Sequence, residues 1–148
     1  MTKPDLAKLR LEDYPARTYD KVRFADTDRT GHVNNAAFAT FSETGRAEFL
    51  FHPENPVYSP GNSFSLASLN MNLLAEISFP GTVDIGTGIT KVGNSSIHLV
   101  QGIYQNGLLC ATVETVVVHI TGHPARSCPL REESREILKK YTLTAFSE

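Results

Sequence analysis

The sequence predicts an α+β protein in which an antiparallel sheet packs against one long helix. Three observations lead to this prediction. One long helical pattern near residue 35 precedes several strand-like segments. No helical pattern lies between those segments, although parallel strands would need such crossovers. Asn106-Gly107 separates two of the segments, and Asn-Gly is a strong signal for a tight hairpin between antiparallel strands.

The first strand follows a polar arm, residues 1–17, that contains two prolines. In "YDKVRFA", residues 19–25, Val22 and Phe24 alternate with charged neighbours, as in a half-buried strand. Residues 26–33 are rich in Asp, Thr and Gly and indicate a loop. An asparagine at 34 or 35 can then cap the helix, because its side chain accepts N–H groups of the first turn.

A helix is predicted over residues 35–51, because large residues and one glycine recur three or four positions apart. This face comprises Phe38, Phe41, Gly45 and Phe49. We expect it to pack against the sheet. The charged residues Glu43, Arg46 and Glu48 are expected to face water. Three prolines within residues 52–62 end the helix.

The rest of the chain consists mainly of strands. They are predicted at residues 64–78, 82–92, 96–105 and 108–121, and a short helix is predicted at residues 131–142. One long helix covers only part of so wide a sheet. Self-association can hide the remaining edge or face, so we expect a homodimer or a homotetramer.

Composition narrows the class of protein. The 148 residues fit one domain, and a net charge of -2 provides no overall basic field for nucleic acid. No apolar run approaches the ~20 residues that span a membrane, and the N-terminus lacks the apolar segment of a signal peptide. Cys110 and Cys128 lack the spacing of a metal site or redox pair. We therefore expect one cytoplasmic domain over residues 1–148, without a nucleic-acid or membrane partner.

The loop "FADTDRTGHVNN", residues 24–35, concentrates side chains that can carry chemistry. Its "DTDRT" matches the D-x-D-x-T pattern of haloacid-dehalogenase-like phosphatases, but that chemistry follows a buried parallel strand in a doubly wound fold. Asp26, Asp28 and His32 are suitable metal ligands by type, although a turn stabilised by Asx hydrogen bonds is the simpler interpretation. We expect no metal. No G-x-S-x-G of a serine hydrolase is present.

Residues 22–50, "VRFADTDRTGHVNNAAFATFSETGRAEFL", resemble the signature of hotdog-fold thioesterases of the 4-hydroxybenzoyl-CoA thioesterase type. Residues 91–107, "KVGNSSIHLVQGIYQNG", are similar to the second signature of that family, a Gly-x-Ser/Lys-Ser strand that ends in a hairpin. The resemblance covers roughly residues 18–120. It implies an antiparallel sheet wrapped around one long helix, and a dimer.

The resemblance also implies hydrolysis of an acyl-CoA thioester without a cofactor. The family's catalytic carboxylate corresponds to Asp28, as general base or nucleophile, while Asp26 accepts backbone N–H groups in the turn. The helix N-terminus, with the backbone of Asn34 and Asn35, would form the oxyanion hole. Glu43 is the alternative catalytic carboxylate, because other hotdog thioesterases use a helix glutamate.

Substrate binding is implied in two places. His32 is a candidate contact beside Asp28. The family places the CoA nucleotide near the second signature, here Lys91, Gly93, Asn94, Ser95 and Ser96. Many relatives carry another Lys or Arg at 94 or 95. This chain has Asn and Ser there, so Lys91 is the one point charge for phosphate in this segment.

Three other functions remain open. An acyl carrier protein could replace CoA. A hotdog hydratase uses an Asp–His pair spaced D-x4-H, whereas Asp28 and His32 are spaced D-x3-H. A non-catalytic acyl-CoA-binding domain would not need Asp28. The phenylalanines at 38, 41, 49 and 51 could line an acyl channel, but their helical spacing favours the core.

Overall fold

The computed structural model describes residues 5–54 and 56–144. The helices and strands in these ranges are β1 (Ala16–Val22), α1 (Asn35–Leu50), β2 (Ser63–Leu73), β3 (Gly81–Val92), β4 (Ser96–Gln105), β5 (Leu108–Thr121), β6 (Arg126–Ser127) and α2 (Glu132–Lys139). Short 3-10 turns occupy Leu6–Lys8, Leu11–Asp13 and Phe24–Asp26. The predicted α+β class is confirmed, and its hotdog form is a curled antiparallel sheet with α1 packed against it. No helix in the described ranges is both long and apolar enough to span a membrane.

The sheet has the strand order β1-β3-β4-β5-β2, with β6 paired to β5, and the pairs are antiparallel. The predicted hairpin joins β4 to β5, and Asn106 and Gly107 have φ values of 52° and 83°, as its tight turn requires. The strand predicted at 64–78 ends earlier, at Leu73. The chain then turns, and the N–H of Val33 donates to the carbonyl of Ile77 at 3.0 Å, which anchors residues 74–78 to the loop before α1.

The helix α1 buries the face that its spacing predicts, including Phe38, Phe41, Gly45 and Phe49. Arg46 was expected to face water, but it is only 8% exposed, so this prediction was wrong. It follows Ser42 by one turn and so belongs to the buried side of the helix. Phe51, just beyond α1, is by contrast 40% exposed and lies outside the buried core.

A polar layer crosses the core between α1 and the sheet. The Ser42 hydroxyl donates to Oε1 of Gln101 at 2.7 Å. The Gln101 side-chain amide donates to the carbonyl of Ser42 at 3.0 Å and to the hydroxyl of Thr87 at 3.1 Å. Arg46 Nη1 donates to Ser42 Oγ at 2.6 Å. These bonds hold α1 in one register on the sheet, since each partner is buried and would otherwise be unsatisfied.

β2 forms one edge of the sheet and is poorly covered. The helix packs mainly against β1, β3 and β4. Leu66, Leu69 and Leu73 on β2 therefore remain 43–47% exposed. An apolar edge strand is a surface that proteins usually cover by pairing. Homodimer or homotetramer formation stays a prediction, and β2 is the edge at which we expect it.

Gly45 sets how closely α1 approaches the sheet. A Cβ there would lie 2.6 Å from both Gln101 Nε2 and Ile85 Cγ2. Gly-to-Ala changes in a helix normally stabilise by up to about 1 kcal/mol. Here we expect Gly45→Ala to lower the free energy of unfolding by about 1–3 kcal/mol through overpacking. Urea unfolding at fixed protein concentration measures this, with exposed Thr40→Ala as the control. A Gly45→Ala protein as stable as the parent would contradict the packing.

Candidate active site

Asp28 lies in a tight loop between β1 and α1. Its backbone N–H donates to the carbonyl of His32 at 2.9 Å, and the N–H of Gly31 donates to the carbonyl of Asp28 at 3.0 Å. Gly31 has φ of 86°, a left-handed conformation that favours glycine. Thr27 and Val33 pair antiparallel at the base of the loop. The loop therefore places Asp28 and His32 side by side at the start of α1.

Hydrogen bonds from Thr30 hold the Asp28 carboxylate. Oδ1 accepts the backbone N–H of Thr30 at 2.8 Å and also its hydroxyl. These two bonds lower the pKa of Asp28, because they stabilise the charged form. The carboxyl group is exposed, and Oδ2 accepts no hydrogen bond from a described residue. Asp28 is therefore ionised at neutral pH with one oxygen available to substrate or water.

Asp26 has the structural position expected for it. It is buried, and its Oδ2 accepts the backbone N–H of Arg23 at 2.8 Å. The Arg23 guanidinium also donates to this carboxylate, at 3.1 Å from Nη2 to Oδ1. The backbone carbonyl of Asp26 accepts the N–H of Asn34 at 2.9 Å. Asp26 thus joins the end of β1 to the residue that caps α1.

At the N-terminus of α1, only one of the two backbone N–H groups expected to form the oxyanion hole is unpaired in the described ranges. Asn34 is the cap, and its Oδ1 accepts the N–H of Ala37 at 2.9 Å. The Asn34 N–H itself is bonded to Asp26, so this group does not fit the expected role of oxyanion donor. The N–H groups of Asn35 and Ala36 have no hydrogen-bond partner among the described residues. Donors of this kind, at the positive end of the helix, can bind an oxyanion.

A cavity of about 390 Å³ opens at this point. It is lined by Asp28, Thr30, His32, Val33, Asn35, Phe38, Leu73, Leu74, Ala75 and Glu76. His32 Nε2 lies 3.0 Å from Glu76 Oε2, and a carboxylate partner places the ring proton on Nε2. Sequence reasoning missed Glu76, because residues 74–78 looked like the end of a strand. Its carboxylate contacts the His32 ring at the cavity wall.

Glu43 does not line the Asp28 cavity of its own chain. Glu43 is exposed on α1, eight residues beyond Asn35, which corresponds to about 12 Å along the helix axis. It lines a separate, smaller cavity with Arg46. Within a single chain, Glu43 and Asp28 are therefore not neighbours.

The second signature lies at the opposite end of the sheet. β3 begins at Gly81, which pairs with Val22 just before the Asp28 loop, and ends at Val92. Eleven residue steps at ~3.3 Å give about 36 Å along this strand. The turn Gly93–Ser96, and Lys91 before it, are thus remote from Asp28 in the same chain.

Arg135 on α2 adds a cation to that turn. Its Nη2 donates to the carbonyls of Gly93 and Asn94, both at 3.0 Å. The Gly93 N–H donates to the Ser96 carbonyl at 2.8 Å and closes the turn. Lys91 is therefore not the only positive charge near this segment. Arg135 was missed because it lies some 40 residues further along the chain, where no local pattern connects it with the turn.

No group of three or more His, Cys, Asp and Glu side chains in residues 5–54 and 56–144 is arranged to hold a metal ion. Asp26, one of the three candidate metal ligands suggested by the sequence, is hydrogen-bonded and ion-paired with Arg23.

Comparison with known proteins agrees with this architecture. Residues 22–138 match the family described as the Thioesterase-like superfamily. No curated protein sequence matches the chain significantly. A Thermus thermophilus thioesterase, solved in complex with coenzyme A and Zn, is 29% identical, with 86% of this chain and 94% of that chain covered and a TM-score of 0.73. A predicted thioesterase from Bacillus stearothermophilus is 25% identical, with coverage of 86% and 96% and a TM-score of 0.77.

The fold extends to more distant proteins. A Pseudomonas aeruginosa protein of 23% identity, with 91% of this chain and 96% of that chain covered, has a TM-score of 0.81 and shares the fold. The family match spans most of the chain, from β1 into α2. This chain therefore belongs to the Thioesterase-like superfamily.

Proposed function

We propose that this protein hydrolyses an acyl-CoA thioester to a free acid and CoA. The observation that carries the proposal is the ionised carboxylate of Asp28 beside the unpaired N–H of Asn35 in one open cavity. Membership of the superfamily supports thioester hydrolysis in general. The Thermus thermophilus relative, solved with coenzyme A, supports CoA as the carrier of the acyl group.

The chemistry follows from the charges in the cavity. Attack on the thioester carbonyl places negative charge on its oxygen, and the Asn35 N–H at the positive end of α1 stabilises that charge. Asp28 either takes a proton from the attacking water or attacks the carbonyl carbon itself to form a mixed anhydride. The C–S bond then breaks, and the thiolate leaves without needing a strong general acid. His32, held by Glu76, contacts the bound substrate.

The arrangement favours hydrolysis over hydration of an enoyl group. A hydratase needs Asp and His to act together as an acid/base pair. Here Asp28 is bonded to Thr30, and the His32 ring is bonded to Glu76 rather than to Asp28. The Thr30 hydroxyl lies between them, 3.5 Å from His32 Nδ1, so Asp28 and His32 do not bond to each other directly.

We further propose that each active site is built from two copies of the chain. Within one chain, the Asp28 cavity and the Gly93–Ser96 turn lie about 36 Å apart along β3. β2 runs from the end of the sheet that carries the Gly93–Ser96 turn to the end that carries Asp28, since Ser63 pairs with Ile120 and Leu73 with Ala111. Antiparallel pairing of two β2 edges would place the Asp28 end of one copy beside the Gly93–Ser96 end of the other. The copies would then share the thioester and the nucleotide.

The role of Asp28 is tested by Asp28→Asn, which keeps the shape of the side chain and removes its basic oxygen. We expect kcat to fall by about 10²–10⁴-fold while the fold is retained. A thiol-reactive dye measures CoA release from hexanoyl-CoA and benzoyl-CoA, without added metal. Asp26→Asn should instead lower thermal stability, because Asp26 is buried and its carboxylate is hydrogen-bonded to Arg23. Intact thioesters together with falling enoyl absorbance from an enoyl-CoA would favour a hydratase.

The shared site is tested by mixing two weakened proteins. One carries Asp28→Asn, and the other carries Lys91→Gln with Arg135→Gln. In a mixed dimer, the intact Asp28 of one copy meets the intact cations of the other, so random mixing should restore roughly a quarter of the wild-type activity. Co-expressed, differently tagged chains provide the sample. Activity no higher than the sum of the separate variants would show that each site lies within one chain.

Thr30 should set the acidic limb of the pH–rate profile. Its two hydrogen bonds lower the pKa of Asp28, so activity is present above that lowered pKa and is lost as the pH falls through it. Thr30→Val removes the hydroxyl and should move the loss of kcat/KM to higher pH. Thr27→Val is the matched control, because the Thr27 hydroxyl donates to the carbonyl of Phe24. Equal acidic limbs in the two variants would contradict this role of Thr30.

A further inference from the structure

Arg46 is a buried cation without a carboxylate partner in the described part of the chain. It is 8% exposed, and no described Asp or Glu oxygen lies within 4.0 Å of its guanidinium. Its one hydrogen bond to a described residue runs from Nη1 to Ser42 Oγ at 2.6 Å. Burial lowers the pKa of Arg46, and the charge of Glu43 opposes that effect. A guanidinium has five N–H donors, and no Arg46 nitrogen is both fully buried and unpaired in the described ranges, so the donors not bonded to Ser42 reach solvent.

One buried hydroxyl on β5 lacks a hydrogen-bond partner among the residues that the structure describes. Thr115 on β5 is buried, and its hydroxyl has no hydrogen-bond partner in the described ranges. Thr115 pairs with Leu69, and Val117, two residues further along the same face of β5, pairs with Leu66. Val117 and Leu66 line the same cavity as Arg46. Arg46 and Thr115 therefore both lie along the side of the core that faces β2.

The Arg46 cavity has a volume of about 200 Å³ and is lined by Glu43, Arg46, Ala47, Leu50, Phe51, Phe64, Leu66 and Val117. Half-exposed leucines of β2 lie between this cavity and the Asp28 cavity. Leu66 lines the Arg46 cavity, and Leu73 lines the Asp28 cavity. α1 forms the opposite wall along this path. We call this path the α1–β2 groove; it runs between α1 and the leucines at 66, 69 and 73.

The length of the groove suits a medium acyl chain. The Arg46 guanidinium is bonded to Ser42, seven residues after Asn35, which is about 10 Å along the helix axis. An acyl group whose carbonyl oxygen lies at the Asn35 N–H would therefore extend along apolar side chains and end at a cation.

We propose that Arg46 binds a carboxylate at the far end of the acyl group, so that the preferred substrates are ω-carboxyacyl thioesters. This inference rests on the proposed function and names its substrate class. A methyl end that displaced water from the cavity would leave these N–H donors without an acceptor, which is a large penalty. A carboxylate accepts two guanidinium N–H groups at once.

A second copy of the chain is a less suitable partner for Arg46. β2, the strand at which we expect a copy to pair, contains no Asp or Glu in residues 63–73. Pairing along that strand would therefore bring leucines, serines and asparagines to the groove but no charge for Arg46 from the strand itself. The carboxylate is better supplied by a ligand.

The test compares thioesters of equal chain length. Adipyl-CoA is paired with hexanoyl-CoA, and suberyl-CoA with octanoyl-CoA. For the wild-type protein we expect kcat/KM to favour the carboxylated member of at least one pair by about 10²-fold or more. Arg46→Gln and Arg46→Met should abolish this preference while thiol release from the uncharged member persists. Arg17→Gln, an exposed arginine in a different cleft, is the matched control and should keep the preference.

Binding provides a readout that does not depend on the Arg46 variants folding. The Asp28→Asn protein should bind adipyl-CoA or suberyl-CoA more tightly than its uncharged counterpart in calorimetry. Hydrolysis of hexanoyl-CoA and octanoyl-CoA at least as fast as the carboxylated thioesters would overturn this inference and leave the proposed function standing. No thiol release from any of the four would overturn the proposed function, and the inference with it. Dissociation of the oligomer by Arg46→Gln, with the substrate preference unchanged, would assign Arg46 to subunit contact instead.

Discussion

The buried carboxylate of Asp26 is the interaction on which the candidate site depends. Its side chain binds the backbone and guanidinium of Arg23 at the end of β1, and its carbonyl binds the N–H of Asn34 at the start of α1. These bonds leave little freedom for the intervening loop. Asp28 is therefore presented next to the unpaired N–H of Asn35, where a carboxylate and the positive end of a helix can act on one carbonyl group. Asp26 is therefore suited to a structural role because it is buried, whereas Asp28 is exposed and can contact a substrate.

The length of the strands imposes a second constraint. The Asp28 cavity and the turn bound by Arg135 lie at opposite ends of the sheet, about 36 Å apart along β3. The uncovered leucines of β2 lie along the edge that connects these ends. A second copy paired at this edge would cover apolar surface and complete the substrate site. The α1–β2 groove lies beside the same edge, so oligomer formation and the choice of acyl group are linked in this account.

Local periodicity predicted most of the fold, because the helix spacing around Phe38 and Phe41 and the Asn-Gly hairpin are short-range signals. The motif around Asp28 indicated the loop and the helix cap, and both are observed. Four features required the structure. Arg46 was expected in water because arginines are mostly exposed, yet its spacing from Ser42 places it in the core. Glu76 reaches the Asp28 cavity, and Arg135 reaches the Gly93–Ser96 turn, each from a segment distant in the sequence. The bond of the Asn34 N–H to the carbonyl of Asp26 forms only when the loop is folded.

The central claim is that one acyl-CoA molecule is held by two copies of this chain. A crystal structure of Asp28→Asn with bound adipyl-CoA tests it most directly. We predict that the thioester oxygen lies within hydrogen-bond distance of the Asn35 N–H of one copy. The CoA phosphates should lie against Lys91 and Arg135 of the other copy, and the distal carboxylate should contact an Arg46 guanidinium. A complex in which one chain holds both the thioester and the phosphates, or in which the thioester lies away from Asn35, would contradict the account.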